Sequence, residues 1–114
     1  MRIFIQIASY RDPELVKTIK SIIDNAKNPK NLRFGICRQY HPEDGFDSLE
    51  EYKDDNRFRV IDVLYSESKG VCWARNLTQT LYEGEEYTMQ IDSHMRFEKN
   101  WDSEFIKMIK NLLH

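Results

Sequence analysis

Asp92 and His94 stand two positions apart in "QIDSHMRF" (90–97), directly after the apolar run "YTMQI". In an extended segment, residues i and i+2 project to the same side. A carboxylate and an imidazole would therefore share one side of a strand's carboxyl end, with Ser93 facing away. One carboxylate oxygen and one imidazole nitrogen make a half-site for Mn²⁺ or a similar divalent ion. Such a half-site leaves coordination positions for phosphate oxygens, as Mg²⁺ sites on nucleotides do. The same two groups could equally be solvated at a strand end, because D-x-H is a short motif whose meaning depends on its structural context.

Two further stretches carry groups of the right kind. In "SKGVCWARN" (68–76) a Lys-Gly pair precedes a helix and Arg75 lies about one turn into it. Gly70 lets backbone approach a ligand closely, and a helix N-terminus favours anions. Lys69 as a loop charge and Arg75 on a solvated helix face are the ordinary alternatives. In "ASYRD" (8–12) Tyr10 could stack on a base and Arg11 could pair with a phosphate. The same residues also make an unremarkable turn into a helix. His41 reads as a solvated loop residue, and the terminal His114 is not assigned to the metal.

Positioning these groups requires a particular order of elements. "RIFIQIA" (2–8), "LRFGICR" (32–38), "FRVIDVLY" (58–65) and "YTMQI" (87–91) read as strands, the first nearly continuous in apolar character, as a strand buried on both faces should be. Asp12 reads as an N-cap with Pro13 at the first helical position. Leu15, Ile19, Ile22, Ile23 and Ala26 then keep helical spacing until Pro29. Ser48 and Glu51 have capping-box spacing for a short helix over 48–54. A helix over 71–82 would turn Val71, Ala74, Leu77, Thr78 and Leu81 to one side, with Gly84 closing it. Asn100 would cap a last helix with Trp101, Phe105, Met108 and Leu112 as its buried stripe. The alternation β-α-β-α-β-α-β-α predicts an α/β fold: a Rossmann-like, mainly parallel sheet, first strand internal, helices on both faces. Ligands of such sheets sit outside the strands' carboxyl ends. That places "SYRD", "RQYHPED", "SESKG" and "DSHMRF" around one crevice.

The bulk properties narrow the choice of partner. A chain of 114 residues with 40% hydrophobic and 32% charged residues reads as one globular domain, 1–114. A formal charge of −2 without a basic stripe argues against a nucleic-acid partner. No stretch reaches membrane-spanning length, and the N-terminus lacks the pattern of a signal peptide. The two cysteines, Cys37 and Cys72, have neither disulfide-framework nor zinc spacing. A reducing, cytoplasmic location fits these features.

"IASYRDPEL", "GICRQYHPED", "SKGVCWARN" and "YTMQIDSHMRFEKNWD" together resemble the polypeptide N-acetylglucosaminyltransferases, whose best-known members modify a hydroxyproline of a cytoplasmic ubiquitin-ligase adaptor. The resemblance runs from Ile3 to about Trp101, with "QIDSHMRF" and "NWD" its most specific part. More distantly, G-x-x-x-A-R followed by D-S-H is similar to the polypeptide GalNAc-transferases. The resemblance implies a GT-A fold, a UDP-sugar donor such as UDP-GlcNAc, a polypeptide acceptor, retention of anomeric configuration and a divalent cation, Mn²⁺ or Mg²⁺. It further implies that Asp92 and His94 hold the metal as a D-x-H that bridges it to the donor diphosphate, while Asp92, Lys69, Gly70 and Arg75 line the nucleotide-sugar site. Ser9, Tyr10 and Arg11 match the loop after the first strand that faces the nucleotide, and Gln39 is placed to contact uracil or ribose. Enzymes of this fold carry a second half after the D-x-H strand, which supplies the acceptor groove. Here a helix and His114 follow, so the chain reads as the nucleotide-sugar part of a transferase. The alternative is a catalytically incomplete module that binds a nucleotide sugar or a protein. No strong Gly-rich phosphate loop supports a nucleotidyltransferase.

Overall fold

The computed structural model describes residues 1–112; His114 lies outside them. Four strands, β1 (Ile3–Tyr10), β2 (Leu32–Tyr40), β3 (Phe58–Leu64) and β4 (Tyr87–Ile91), form one sheet in the order β3-β2-β1-β4. All three pairings are parallel, with Ile7 of the internal β1 opposite both Ile36 and Ile91. Every strand therefore delivers its carboxyl end to the same edge. β1 and β2 each run two residues past their expected ends. Ser9, Tyr10 and Gln39 are thus strand residues, and only Arg11 of the first group lies beyond the strand.

Strand alternation divides the core into two layers. Ile3, Ile5 and Ile7 of β1, with Leu32, Phe34 and Ile36 of β2, pack on Leu15, Ile19 and Ile22 of α1 (Leu15–Asn25) and on Trp101 of α3 (Trp101–Leu112). The opposite face receives α2 (Val71–Gln79). There the Thr78 hydroxyl meets the Gln6 side-chain amide at 3.0 Å, and the Phe4 ring meets Tyr82 edge-on at 5.7 Å. Gly35 sits beneath this helix. A Cβ there would stand 2.4 Å from Phe4 Cζ and 3.2 Å from the Thr78 carbonyl oxygen, so only hydrogen fits.

Helix ends depart from the sequence pattern for local reasons. α1 begins at Leu15 because Asp12 closes a tight turn ahead of it, its Oδ1 accepting the Glu14 N–H at 2.8 Å. The expected helix over 48–54 is one 3-10 turn, Glu50–Tyr52. Ser48 Oγ accepts from Glu50 two residues on, not at capping-box distance, and aspartates such as Asp54 and Asp55 favour turns over helix. α2 stops at Gln79, where the Thr78 and Thr80 hydroxyls turn back onto the carbonyls of Arg75 and Leu77 at 2.7 and 2.6 Å. Of its expected apolar side only Ala74 and Thr78 are buried, and Val71 is exposed.

The last helix is the largest correction. Trp101 is buried with its indole N–H on the Ile22 carbonyl at 2.8 Å, yet Met108 and Leu112 are 54% and 75% exposed. The pattern is periodic, but the core covers only the start of it, Trp101 with Phe105 and Ile106. Asn100, just before the helix, adopts a left-handed conformation (φ 61°), and its carbonyl takes the Glu104 N–H at 3.2 Å. The polar anchor is the buried Asp102, whose oxygens accept the N–H groups of Lys27 and Asn28 at 2.7 and 2.9 Å. That ties the start of α3 to the chain leaving α1. Among the described residues no helix is long and apolar enough to cross a membrane.

Candidate functional site

The segment after β4 alternates between water and core. Ser93 is buried: its hydroxyl donates to Asp12 Oδ2 at 2.5 Å and its carbonyl accepts from Thr18 Oγ1 at 2.8 Å. The same Thr18 hydroxyl accepts the Met95 N–H at 2.9 Å, so α1 grips both ends of the turn. On either side the Asp92 and His94 side chains are open, 57% and 66% exposed. Asp92 Oδ1 lies 3.6 Å from Arg75 Nη2 of α2, and His94 Nδ1 lies 3.5 Å from Asp12 Oδ2. In the sequence Asp12 reads only as a helix cap. The available signal was its position at the end of β1, the strand beside β4.

Across the same edge, Gln39 is only 3% exposed and its amide is engaged at both nitrogen and oxygen. Its Nε2 donates to the Ser9 carbonyl at 3.0 Å, while its Oε1 accepts from the Ser68 hydroxyl, which also accepts the Gly70 N–H at 3.3 Å. One buried amide thus joins β1, β2 and the loop before α2. Gly70 adopts φ 103°, a conformation that L side chains rarely take, and has open space where a Cβ would stand. Lys69 borders an open recess of about 570 Å³ with Val63, Ser66, Glu67, Ser68 and Trp73.

Tyr10 is exposed, as a stacking platform must be, and the Ser9 side chain is buried. Arg11 already has a partner. Its guanidinium bridges Asp44 through Nε at 2.8 Å and Nη2 at 3.3 Å, and lies 5.4 Å from the centre of the Tyr65 ring. Hydrogen bonding from Arg11 holds the Asp44 carboxyl below the usual carboxylate range. His41 packs on Tyr65 at 4.6 Å and accepts the Glu43 N–H at Nδ1, 3.0 Å away, so it is more than a solvated loop residue. Asp47, in the same loop, is fully buried 3.6 Å from Arg38 Nη1. Burial pushes its carboxyl up, with Arg38 opposing. The structure therefore joins Asp92 to Arg75, His94 to Asp12, and Ser9 to Gln39 and the Gly70 loop. Arg11 is drawn to Asp44. Among the described residues no three His, Cys, Asp or Glu side chains converge on one ion position.

A family model described as Glycosyltransferase (GlcNAc) matches residues 2–57 and 44–114. No curated protein matches the chain. Among solved structures, the crystal structure of S. aureus TarS is similar with a TM-score of 0.75 and 15% identity, over 97% of this chain and 20% of that one. The crystal structure of S. aureus TarS 1-349 is similar with a TM-score of 0.74 and 17% identity, over 97% of this chain and 33% of that one. At such identities the likeness is one of fold. The chain spans a fifth and a third, respectively, of those solved chains.

Proposed function

Because the chain belongs to the Glycosyltransferase (GlcNAc) family, we propose that its crevice binds a UDP-sugar, UDP-GlcNAc in the first instance, together with a divalent cation. The protein that carries this domain would transfer the sugar, with retention, to a polypeptide hydroxyl. The observation that carries the reading is the strand end itself. Two open side chains, Asp92 and His94, flank a buried Ser93, and an Arg75 guanidinium stands 3.6 Å from Asp92.

The donor set fits the cation. A carboxylate and an imidazole suit Mn²⁺, with Mg²⁺ as the second option, and both groups are more than half exposed. Asp92 and His94 would hold the ion, leaving positions for diphosphate oxygens. When bound, it supplies positive charge against the diphosphate leaving group. Engagement of Asp92 in this way frees Arg75 from the ion pair between them, so the guanidinium can turn to a phosphate oxygen. Lys69 adds a second charge, and the open side of Gly70 admits the sugar or phosphate close to backbone. Tyr10 stacks on the base. Ser9 and Gln39 act as the buried brace that holds the β1 and β2 ends in register beside it, and Arg11 fixes the neighbouring loop through Asp44. Fixed charges aimed at a leaving group are the largest single contribution in many such reactions. Two free cysteines fit a cytoplasmic setting.

Calorimetric titration with UDP and UDP-GlcNAc, with and without Mn²⁺, tests the donor site. A transfer assay on acceptor peptides tests the reaction. Donor binding without transfer identifies a nucleotide-sugar-binding module, and absence of nucleotide binding overturns the reading.

A further inference from the structure

We propose that Asp12 is a positioning residue for His94. Its carboxylate keeps the imidazole protonated at Nδ1 and leaves Nε2 as the lone pair offered to the crevice. The proposal rests on the cation reading above but makes a separate claim about this chain's own hydrogen bonding.

Both oxygens of Asp12 have defined tasks. Oδ1 accepts the Glu14 N–H at 2.8 Å, and Oδ2 accepts the Ser93 hydroxyl at 2.5 Å. The second oxygen also lies 3.5 Å from His94 Nδ1, and the Asp12 side chain is only 16% exposed. An ionised carboxylate accepts and cannot donate. The ring nitrogen that faces it is therefore the one bearing hydrogen. At 3.5 Å the contact is longer than a formed hydrogen bond, and such contacts tighten when a site fills. Ligating histidines usually donate their other N–H to a carboxylate, which fixes tautomer and ring orientation. Here the carboxylate is held still from two sides, by the turn before α1 and by Ser93.

Asp12→Asn separates this role from simple tethering. The amide keeps an oxygen for Glu14 but can present NH₂ toward Ser93 and His94. A donor facing Nδ1 favours the Nε2–H tautomer, whose lone pair points away from the crevice. Imidazole nitrogen NMR on the metal-free full chain, at a pH where the ring is neutral, reads the tautomer directly. His41, whose Nδ1 accepts the Glu43 N–H at 3.0 Å, serves as an internal reference of the opposite tautomer. We expect Nδ1–H for His94 in the wild type and Nε2–H in Asp12→Asn, with Mn²⁺ affinity in the presence of UDP falling about 10- to 100-fold. Ser93→Ala removes the other partner of Oδ2 and should retain the Nδ1–H tautomer. Persistence of Nδ1–H in Asp12→Asn, or an equal change in Ser93→Ala, would show that Asp12 only tethers the turn. If the wild type has the expected tautomer but binds no Mn²⁺ with UDP, the cation reading fails and the orientation of His94 by Asp12 stands.

Discussion

At the carboxyl edge of the sheet, the residues divide into those that face water and those that hold them in place. Asp92 and His94 are of the first kind. Replacing either with alanine should change unfolding free energy by no more than about 0.5 kcal/mol, as for other open surface positions. The same changes should weaken Mn²⁺-dependent UDP binding by about 10-fold or more, since a charge-assisted contact contributes about 1.5–3 kcal/mol. Calorimetry and thermal melts on the same samples check both halves. Gln39 is of the second kind. Gln39→Ala strands the Ser9 carbonyl and the Ser68 hydroxyl, and should cost about 1–3 kcal/mol in denaturant unfolding. The D-x-H pair was legible in sequence because its geometry is local, two residues along a strand end. The roles of Asp12 and Gln39 were not. Asp12 meets Ser93 across 81 positions, and Gln39 meets Ser68 across 29, distances over which no spacing rule operates.

Among the elements, the strands were the most legible, because a parallel sheet covered on both faces leaves long apolar runs such as "IFIQIA". Helix lengths were less so. The apolar spacing of α3 continues through Met108 and Leu112 although both side chains are exposed, since periodicity records a face and not what covers it. Gly35 offers a sharp test of the α2 seat. Gly35→Ala puts a methyl into Phe4 and the Thr78 carbonyl, and should destabilise by about 1–3 kcal/mol through overpacking. A second test lies between β3 and the loop before β4. Arg59 pairs with the buried Glu85 through two contacts, 3.3 and 3.0 Å. Burial raises the Glu85 carboxyl, but hydrogen bonds from Arg59 and the Glu83 N–H outweigh it and hold it below the usual range. A depressed folded value means that the stabilisation is present above the ordinary glutamate range of about 4.3 and is lost as pH falls through the folded value. Glu85→Gln should therefore cost about 1–3 kcal/mol at neutral pH. Its stability gap from the wild type should narrow on acidification, as denaturant curves across pH would show.

For the whole molecule, family membership and fold place a glycosyltransferase-type α/β sheet around an edge where β1, β2, β4 and the start of α2 converge. Donor and cation share that edge in our account. If Asp92 and His94 supply the protein's ligands, waters and diphosphate oxygens complete the ion's shell. Binding of Mn²⁺ and UDP must then be reciprocal, each raising the other's affinity by the same factor. The most direct test is one set of calorimetric titrations: UDP into the protein with and without Mn²⁺, for the wild type, Asp92→Ala and His94→Ala. The account predicts clearly tighter UDP binding with Mn²⁺ in the wild type, and loss of most of that gain in both variants. UDP affinity that is indifferent to Mn²⁺ in the wild type, or a Mn²⁺ gain that survives intact in both variants, would contradict it.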